Sequence, residues 1–395
     1  MSKLKELTDK IGSGATPRGG EQAYKKDGIS LIRSQNVLDF GFNYNNLAKI
    51  DDKQAKELNN VEVKENDILI NITGDSIARV CIVPNDVLPA RVNQHVSIVR
   101  CNNKIDSNFL LCYLFFLKNY LLTICRVGGT RNALTKEALE KLEIVHNDNV
   151  DIQKKLVAVI DVILKKININ NKINEELEKL AKTLYDYWFV QFDFPDENNR
   201  PYKSSGGKMV YNEKIKRHMP DGWDVKQIGK IIFEQDKSSI QVNQVTNTGL
   251  YPFFTSGNDV LIHNEYIVDG VYCYLSTGGN ASVKYYYGKA SYSTDTWCIS
   301  AGNYSFYLYN YLNSIKSQMD KLYFAGTGLK HLQKDILKNS YIVVPPTNYM
   351  QKYNNFVSSG YKMVSDNYLE NQNLTKLRDW LLPMLMNGQI SVIAE

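Results

Sequence analysis

The sequence is poor in the groups from which metal and redox centres are made. Its 395 residues include five histidines and six cysteines, and Cys81, Cys101, Cys112, Cys125, Cys273 and Cys298 contain no C-x-x-C pair. No metal-ligand cluster is expected, and the cysteines read as reduced packing residues. No run of about 18 or more apolar residues occurs, and no apolar segment with a cleavage-site pattern follows Met1. Neither export nor membrane insertion is expected, and the cytoplasm is the expected compartment. Charge of one sign is also scarce: 47 Lys and Arg face 42 Asp and Glu, a net +5. So mild an excess permits a nucleic-acid partner without pointing to one. The 26 tyrosines and frequent Asn and Lys fit an AT-rich genome better than a dedicated contact surface.

Catalytic motifs are missing as well. Gly12-Ser-Gly14 and Gly206-Gly-Lys208 lack P-loop spacing, and neither half has the glycine-rich turn and distant acidic residue of a dinucleotide or S-adenosylmethionine fold. Pro345-Pro346 is followed by Thr347, so the Asn/Asp-Pro-Pro-aromatic motif of an adenine methyltransferase is absent. Asp51, Asp52, Glu62 and Lys64 can be read as the carboxylates and lysine of a metal-dependent nuclease acting alone. A polar turn, Asn66-Asp67, leading into Ile68-Leu-Ile70 is the simpler account. His95 with Asp86, and His263 with Asp259, read as structural or contact pairs.

What the chain does have is a repeat. Gly129-Thr130, followed by Leu134, Lys136, Glu137 and Leu139, returns as Gly326-Thr327, followed by Leu332, Lys334, Asp335 and Leu337. Leu177, Leu180 and Leu184 return as Leu374, Leu377 and Leu381. A period of half the chain is too long for a solenoid and implies two copies of a domain-plus-helix unit with pseudo-two-fold symmetry.

Residues 1–147 alternate short apolar runs with Gly, Asn and Asp, as in Ile29–Ile32, Asp67–Asn71 and His95–Val99, which predicts short strands. The spacing of Phe109, Leu110, Tyr113, Leu114 and Leu117 predicts one helix over Asn108–Leu122. The first unit is therefore mixed α/β. From 150 to 189 there is no Gly or Pro, and a heptad seam runs through Ile152, Leu156, Val159, Ile163, Lys166, Asn170, Ile173, Leu177, Leu180 and Leu184. Such a helix spans roughly 60 Å. A second seam follows at Tyr349, Tyr353, Phe356, Gly360, Met363, Asn367, Glu370, Leu374, Leu377 and Leu381. Asn170 and Asn367 fall at equivalent positions, where a buried Asn fixes register at a cost in stability, and a dyad relating the halves requires the helices to run antiparallel. Residues 191–220 read as an exposed linker; 221–346 as a second α/β unit with strands at Gly270–Leu275 and Lys338–Val344; 347–390 as the second long helix.

With these features in place, the chain resembles the DNA-specificity subunit of type I restriction-modification systems over nearly its whole length. The phrases that carry the resemblance are Gly14-Ala-Thr-Pro17, Asp67-Ile-Leu-Ile-Asn-Ile-Thr-Gly74, Asn93-Gln-His-Val96, Gly128-Gly-Thr-Arg-Asn132, Lys203-Ser-Ser-Gly-Gly-Lys208 and Pro220-Asp-Gly-Trp223, with Leu184–Phe189 opening the linker. The resemblance implies two target-recognition domains, 1–147 and 221–346, each reading half of a bipartite DNA site. It implies spacer helices 148–190 and 347–390 forming an antiparallel intramolecular coiled coil, and no catalysis by the chain itself. Methyltransferase subunits, two copies, would bring S-adenosylmethionine, and motor-nuclease subunits would bring ATP and Mg. A two-lobed protein-interaction scaffold that never touches DNA is the rival from another class.

Base chemistry then selects candidate readers: Arg for guanine, Asn and Gln for adenine, Lys for phosphate. In the first unit these are Arg33, Gln35 and Asn36, then Arg79, then Arg91, Asn93 and Gln94, and Arg131 and Asn132. In the second they are Ser256 and Asn258, then Asn280, Ser282 and Lys284 in the turn corresponding to Thr73-Gly74, then Lys330 and His331. The second unit lacks a Gly-x-Thr-Pro phrase and its loops differ, which implies two different half-sites. At the helix ends Tyr185, Trp188, Phe189, Trp380 and Met384 offer apolar surface for partner subunits or for packing the helices onto the domains.

Overall fold

Period-two apolar runs make strands in both halves, and the long 3.6-period stretches make two helices, Val150–Tyr185 and Thr347–Met386. The computed structural model describes residues 1–125, 133–245 and 249–390. It divides into unit one, Met1–Ile167 with Leu374–Glu395, and unit two, Asn168–Asn373. Each is a mixed α/β body carrying a segment of both long helices.

In unit one a four-stranded antiparallel sheet runs in the order Thr8–Ser13, Val96–Cys101, Ile68–Asn71, Val80–Ile82. Strand alternation sends Ile68 and Ile70 into the core under the helices and Leu69 into a second core. Both faces are thus covered, and Ile68-Leu-Ile70 has no polar break. The second core lies against another sheet, ordered Ala48–Ile50, Ile29–Ile32, Ala90–Val92, Glu62–Val63. Asp106 starts the helix Ser107–Phe116 by accepting from the amides of Asn108 and Phe109 at 3.0 Å each. The single helix expected over 108–122 is broken at Leu117, and Lys118–Ile124 leaves at 61°. The bend returns Leu121 to the core that already holds Leu114, both fully buried.

Unit two repeats this plan. Its six-stranded sheet runs Phe233–Glu234, Thr296–Ser300, Val268–Ser276, Val283–Tyr292, Tyr251–Phe254, Val260–His263, and the first four positions match the four-stranded sheet of unit one. Helices Ser305–Ser314, Lys316–Leu322 and Lys334–Asn339 stand where Ser107–Phe116, Lys118–Ile124 and Lys136–Glu140 stand in unit one. The last of them absorbs Lys338 and Asn339, so the strand expected from Lys338 begins at Tyr341.

Residues 191–220, expected to be exposed linker, are folded onto unit two. Phe192 and Phe194 are buried, Phe194 stacks on Tyr202 at 4.7 Å and on Trp223 at 4.8 Å, and Met209–Asn212 pairs with Arg217–Pro220 in a hairpin. The Gly, Ser and Lys of this stretch stay at the surface while two aromatic anchors hold it down.

The buried stripe of the long helices is displaced from the expected seams. Gln153, Val157, Ile160 and Ile163 are buried on the first helix, while Ile152, Val159 and Leu180 are exposed. On the second, Met350, Tyr353, Val357, Tyr361 and Val364 are buried, while Phe356 and Met363 are exposed. The cause is that each helix packs on its α/β body as well as on its partner, so the stripe turns toward that body.

Within unit two the helices are antiparallel. Asn170 donates to Glu370 Oε2 at 2.7 Å and Asn371 Oδ1 at 2.9 Å, and Asn367 donates to Asn174 Oδ1 at 2.8 Å. The offset of 197 carries Asn170 onto Asn367 and Asn174 onto Asn371, so the two pairs are related by a local two-fold. Asn170 is fully buried, and its Oδ1 has no partner among the described residues.

Candidate nucleic-acid interface

The sheet of unit one gathers four loops at one end. Gly14 donates to Val96 O at 2.9 Å, Asn93 N to Ile32 O at 2.9 Å, Ile72 N to His95 O at 3.0 Å, and Asn71 Nδ2 to Ser34 O at 2.9 Å. Gly14 is required by this packing, because a Cβ there would sit 2.0 Å from Val92 O. Side chains extend the network: Thr16 donates to Gln94, Gln94 Nε2 lies 3.0 Å from His95 Nε2, and His95 Nδ1 lies 2.5 Å from Thr73 Oγ1.

The expected readers of unit one separate into two groups here. Gln35 and Gln94 are exposed on this end, and Arg79 is half-buried with no side-chain partner among the described residues. Arg33 is half-buried, stacked over Tyr24 and donating to Asn46 O at 2.7 Å. Asn36 is fully buried, donating to Asn43 O at 2.8 Å and capping the Arg33 amide. Asn93 is buried, and its Oδ1 accepts from the His95 amide. Arg91 is buried in the second sheet, bonded to Ala55 O, Ala90 O, Asn59 Oδ1 and Glu62. Asn36, Asn93 and Arg91 therefore hold the fold together and present no edge to a base. Arg131 and Asn132 lie outside the described residues.

Two carboxylates of the nuclease alternative are engaged in the same way. Asp51 caps the helix Asp52–Glu57, and Glu62 pairs with Arg91 at 3.5 Å. Both contacts are structural.

Unit two builds the equivalent end with the same main-chain docking. Leu134 N donates to Ile72 O at 2.8 Å, and Leu332 N donates to Thr277 O at 3.0 Å; Thr73 bridges to Ala133 as Gly278 bridges to His331. The two turns thus correspond with Ile72 opposite Thr277, one residue away from the alignment of the Thr-Gly dipeptides. The result is a cleft of about 690 Å³, in whose wall Ser256, Asn258, Asn280, Ser282 and His331 come together. Lys330 is exposed, and its carbonyl accepts from Gly279 N at 2.9 Å. Lys284 instead turns inward, donating to Thr255 O at 3.0 Å and to Gly257 O. Burial pushes its ammonium below the ordinary lysine range, opposed by Asp259. Ser256 bonds Asp295 O, so it and Lys284 brace the 255–258 loop.

Thr277, Asp295, Lys316, Asp320 and Leu329 also line this cleft, and sequence reasoning missed them. Lys316 and Asp320 sit on the short helix beside the turn, and no local motif announces that packing. Of the apolar helix-end residues, Tyr185, Trp188 and Phe189 are core: Phe189 contacts Tyr307 and Tyr353, both at 4.9 Å between rings. They offer no docking surface. Trp380 is 58% exposed and Met384 half-buried.

All six cysteines are free and five are buried; burial pushes the Cys81 and Cys273 thiols up to about 12. Among the described residues no single helix is long and apolar enough to cross a membrane.

Comparison with known proteins agrees with this geometry. The family model described as the type I restriction modification DNA specificity domain matches residues 1–179 and again 220–372. The chain is 25% identical over 428 residues to the type I restriction enzyme MjaIX specificity subunit of Methanocaldococcus jannaschii, covering 99% of this chain and 93% of that one. It is 22% identical to the HindI specificity subunit of Haemophilus influenzae, covering 92% and 94%. The crystal structure of the type I restriction-modification S subunit from M. genitalium superposes with a TM-score of 0.59 at 14% identity, over 97% of this chain and 95% of that one. A matched domain occurring twice, on a fold that itself occurs twice, leads to one conclusion: the chain belongs to the type I restriction-modification DNA specificity family, as a non-catalytic, DNA-recognising subunit.

Proposed function

We propose that each unit reads one half of a bipartite, asymmetric duplex-DNA target, and that the chain scaffolds the methyltransferase and restriction subunits of a type I complex. The observation that carries this reading is the pairing of a repeated frame with unrepeated tips. Strand order, bent helix pair and loop docking recur, while the side chains at that end do not: Gln35, Arg79 and Gln94 in one unit, Asn258, Asn280 and His331 in the other. Identical frames with different donor and acceptor sets read different bases.

On this reading residues 1–147 and 221–346 are the target-recognition domains, and 148–190 and 347–390 are spacer helices whose length sets the gap between half-sites. Residues 191–220 join the two halves and are anchored on the second. Two modification subunits supply S-adenosylmethionine, docking in part on the surface around Trp380 and Met384, and motor-nuclease subunits supply ATP and Mg. The complex works on cytoplasmic DNA. The test is to co-express the chain with its modification subunit in a methylation-free host and map N6-methyladenine by single-molecule sequencing. A split, asymmetric motif that disappears without this chain is the expected result; two identical half-sites, or no motif from a soluble complex, would overturn the reading.

A further inference from the structure

We propose that the cleft of unit two reads a C·G base pair, with Asp320 accepting from the cytosine 4-amino group and Lys316 donating to guanine O6 and N7. This rests on the reading of that cleft as DNA-facing. The first argument is electrostatic. Asp295 and Asp320 both line the cleft, against Lys316 alone among its lysines and arginines. A pocket for backbone phosphate is lined by positive charge, so these carboxylates select for a base edge that offers a donor.

The second argument is orientation. One Asp320 oxygen accepts from the backbone N–H of Ala281, inside the turn that forms the cleft wall. That bond fixes the carboxylate, and no other partner engages it among the described residues. Lys316 lies one helical turn earlier on Lys316–Leu322. Residues at this spacing face the same side, yet the two charges form no ion pair with each other among the described residues. An acceptor and a donor therefore stand side by side, each open to an external group.

The third argument is the code itself. In the major groove a C·G pair presents the cytosine N4 donor next to the O6 and N7 acceptors of guanine, which is the complement of a carboxylate beside an ammonium. Adenine also presents an amino group, but its neighbouring N7 acceptor repels the carboxylate, whereas cytosine places a C–H there. Guanine gives the ammonium two converging acceptors and thymine only one.

The experiment compares methylation motifs from the co-expressed complex carrying wild-type chain, Asp320→Asn or Lys316→Gln. The Asn side chain keeps an acceptor for the Ala281 amide and changes only the group offered to the base. In the wild type, one half-site should contain a required C·G pair. D320N should lower the preference for it about tenfold to a hundredfold, the range expected for one good base contact, and K316Q should relax the same position, with the other half-site unchanged. Wild-type stringency in both variants, or relaxation at a position that is not C·G, overturns the proposal. If D320N fails to assemble, K316Q on its exposed side chain decides alone. Failure of the two-half reading would show separately, as a wild-type motif that is not split.

Discussion

Replacing the fully buried Asn170 by leucine should leave the stability of unit two nearly unchanged while loosening the pairing of its helices. Asn170 donates two hydrogen bonds, to Glu370 and Asn371, and buries a carbonyl oxygen with no partner among the described residues. Relief of such an orphan is worth about 1–3 kcal/mol, while loss of the bond to Asn371 costs about 1 kcal/mol and loss of the bond to the Glu370 carboxylate about 1.5–3 kcal/mol. Burying leucine adds about 1.5–3 kcal/mol, less about 1 kcal/mol for the extra volume in a packed seam. The balance is near zero, so N170L should stay within about 2–4 °C of the wild-type Tm, the shift that about 1 kcal/mol produces in a unit of this size. Differential scanning calorimetry of the full chain measures it, and N170A, which forfeits both bonds and leaves a cavity, should lower Tm clearly. Because a polar layer fixes register rather than stability, N170L should also blur the spacer length in the methylation motif. A fall in Tm for N170L as large as that of N170A would refute the reasoning, since it would make the polar layer a net stabiliser.

Arg91→Ala should destabilise unit one by about 3 kcal/mol, because it strands buried acceptors and Glu62, whereas Gln94→Ala should leave the free energy of urea unfolding within about 0.5 kcal/mol of wild type and weaken duplex binding by the assembled complex. Trp188→Ala should cost about 3–5 kcal/mol as a core truncation; Trp380→Ala should leave unfolding unchanged and reduce recovery of the modification subunit in a pull-down. Burial raises the Asp161 carboxyl above its usual range, with Lys165 opposing and Asp106 adding to the rise. A raised carboxyl burdens the folded state only once ionised, so the penalty is absent below the unfolded value of about 3.9 and grows as pH rises through the folded one. Asp161→Asn, which keeps an acceptor for Asn108, should therefore raise Tm at pH 7, with the difference vanishing near pH 4.

The repeat, the strands and the antiparallel helices were legible because each leaves a local or periodic trace. Asn170 and Asn367 betrayed their equivalence through an offset alone, although each pairs with the other's neighbour four residues on. The buried stripes were misplaced by about one residue because a heptad pattern describes two helices facing each other and says nothing of the α/β bodies beneath. Among candidate readers, Gln94 and Asn280 lie at the surface, whereas Asn36 and Arg91 spend their donors inside the fold. Type is a property of one residue; exposure is a property of its neighbours. Asp320 and Lys316 escaped notice because the turn they border lies some forty residues away in sequence.

Two of the contacts that moor the loops at the candidate interface are purely main-chain. Leu134 N to Ile72 O and Leu332 N to Thr277 O make no demand on what the tips between them carry. A peptide N–H bonds a peptide carbonyl whatever the side chain, so the alphabet at the tip can drift while its anchorage persists. For a protein whose worth lies in recognising a particular text, such contacts separate spelling from architecture: where a loop is held in this way, its tip can change by single substitutions without passing through an unfolded ancestor.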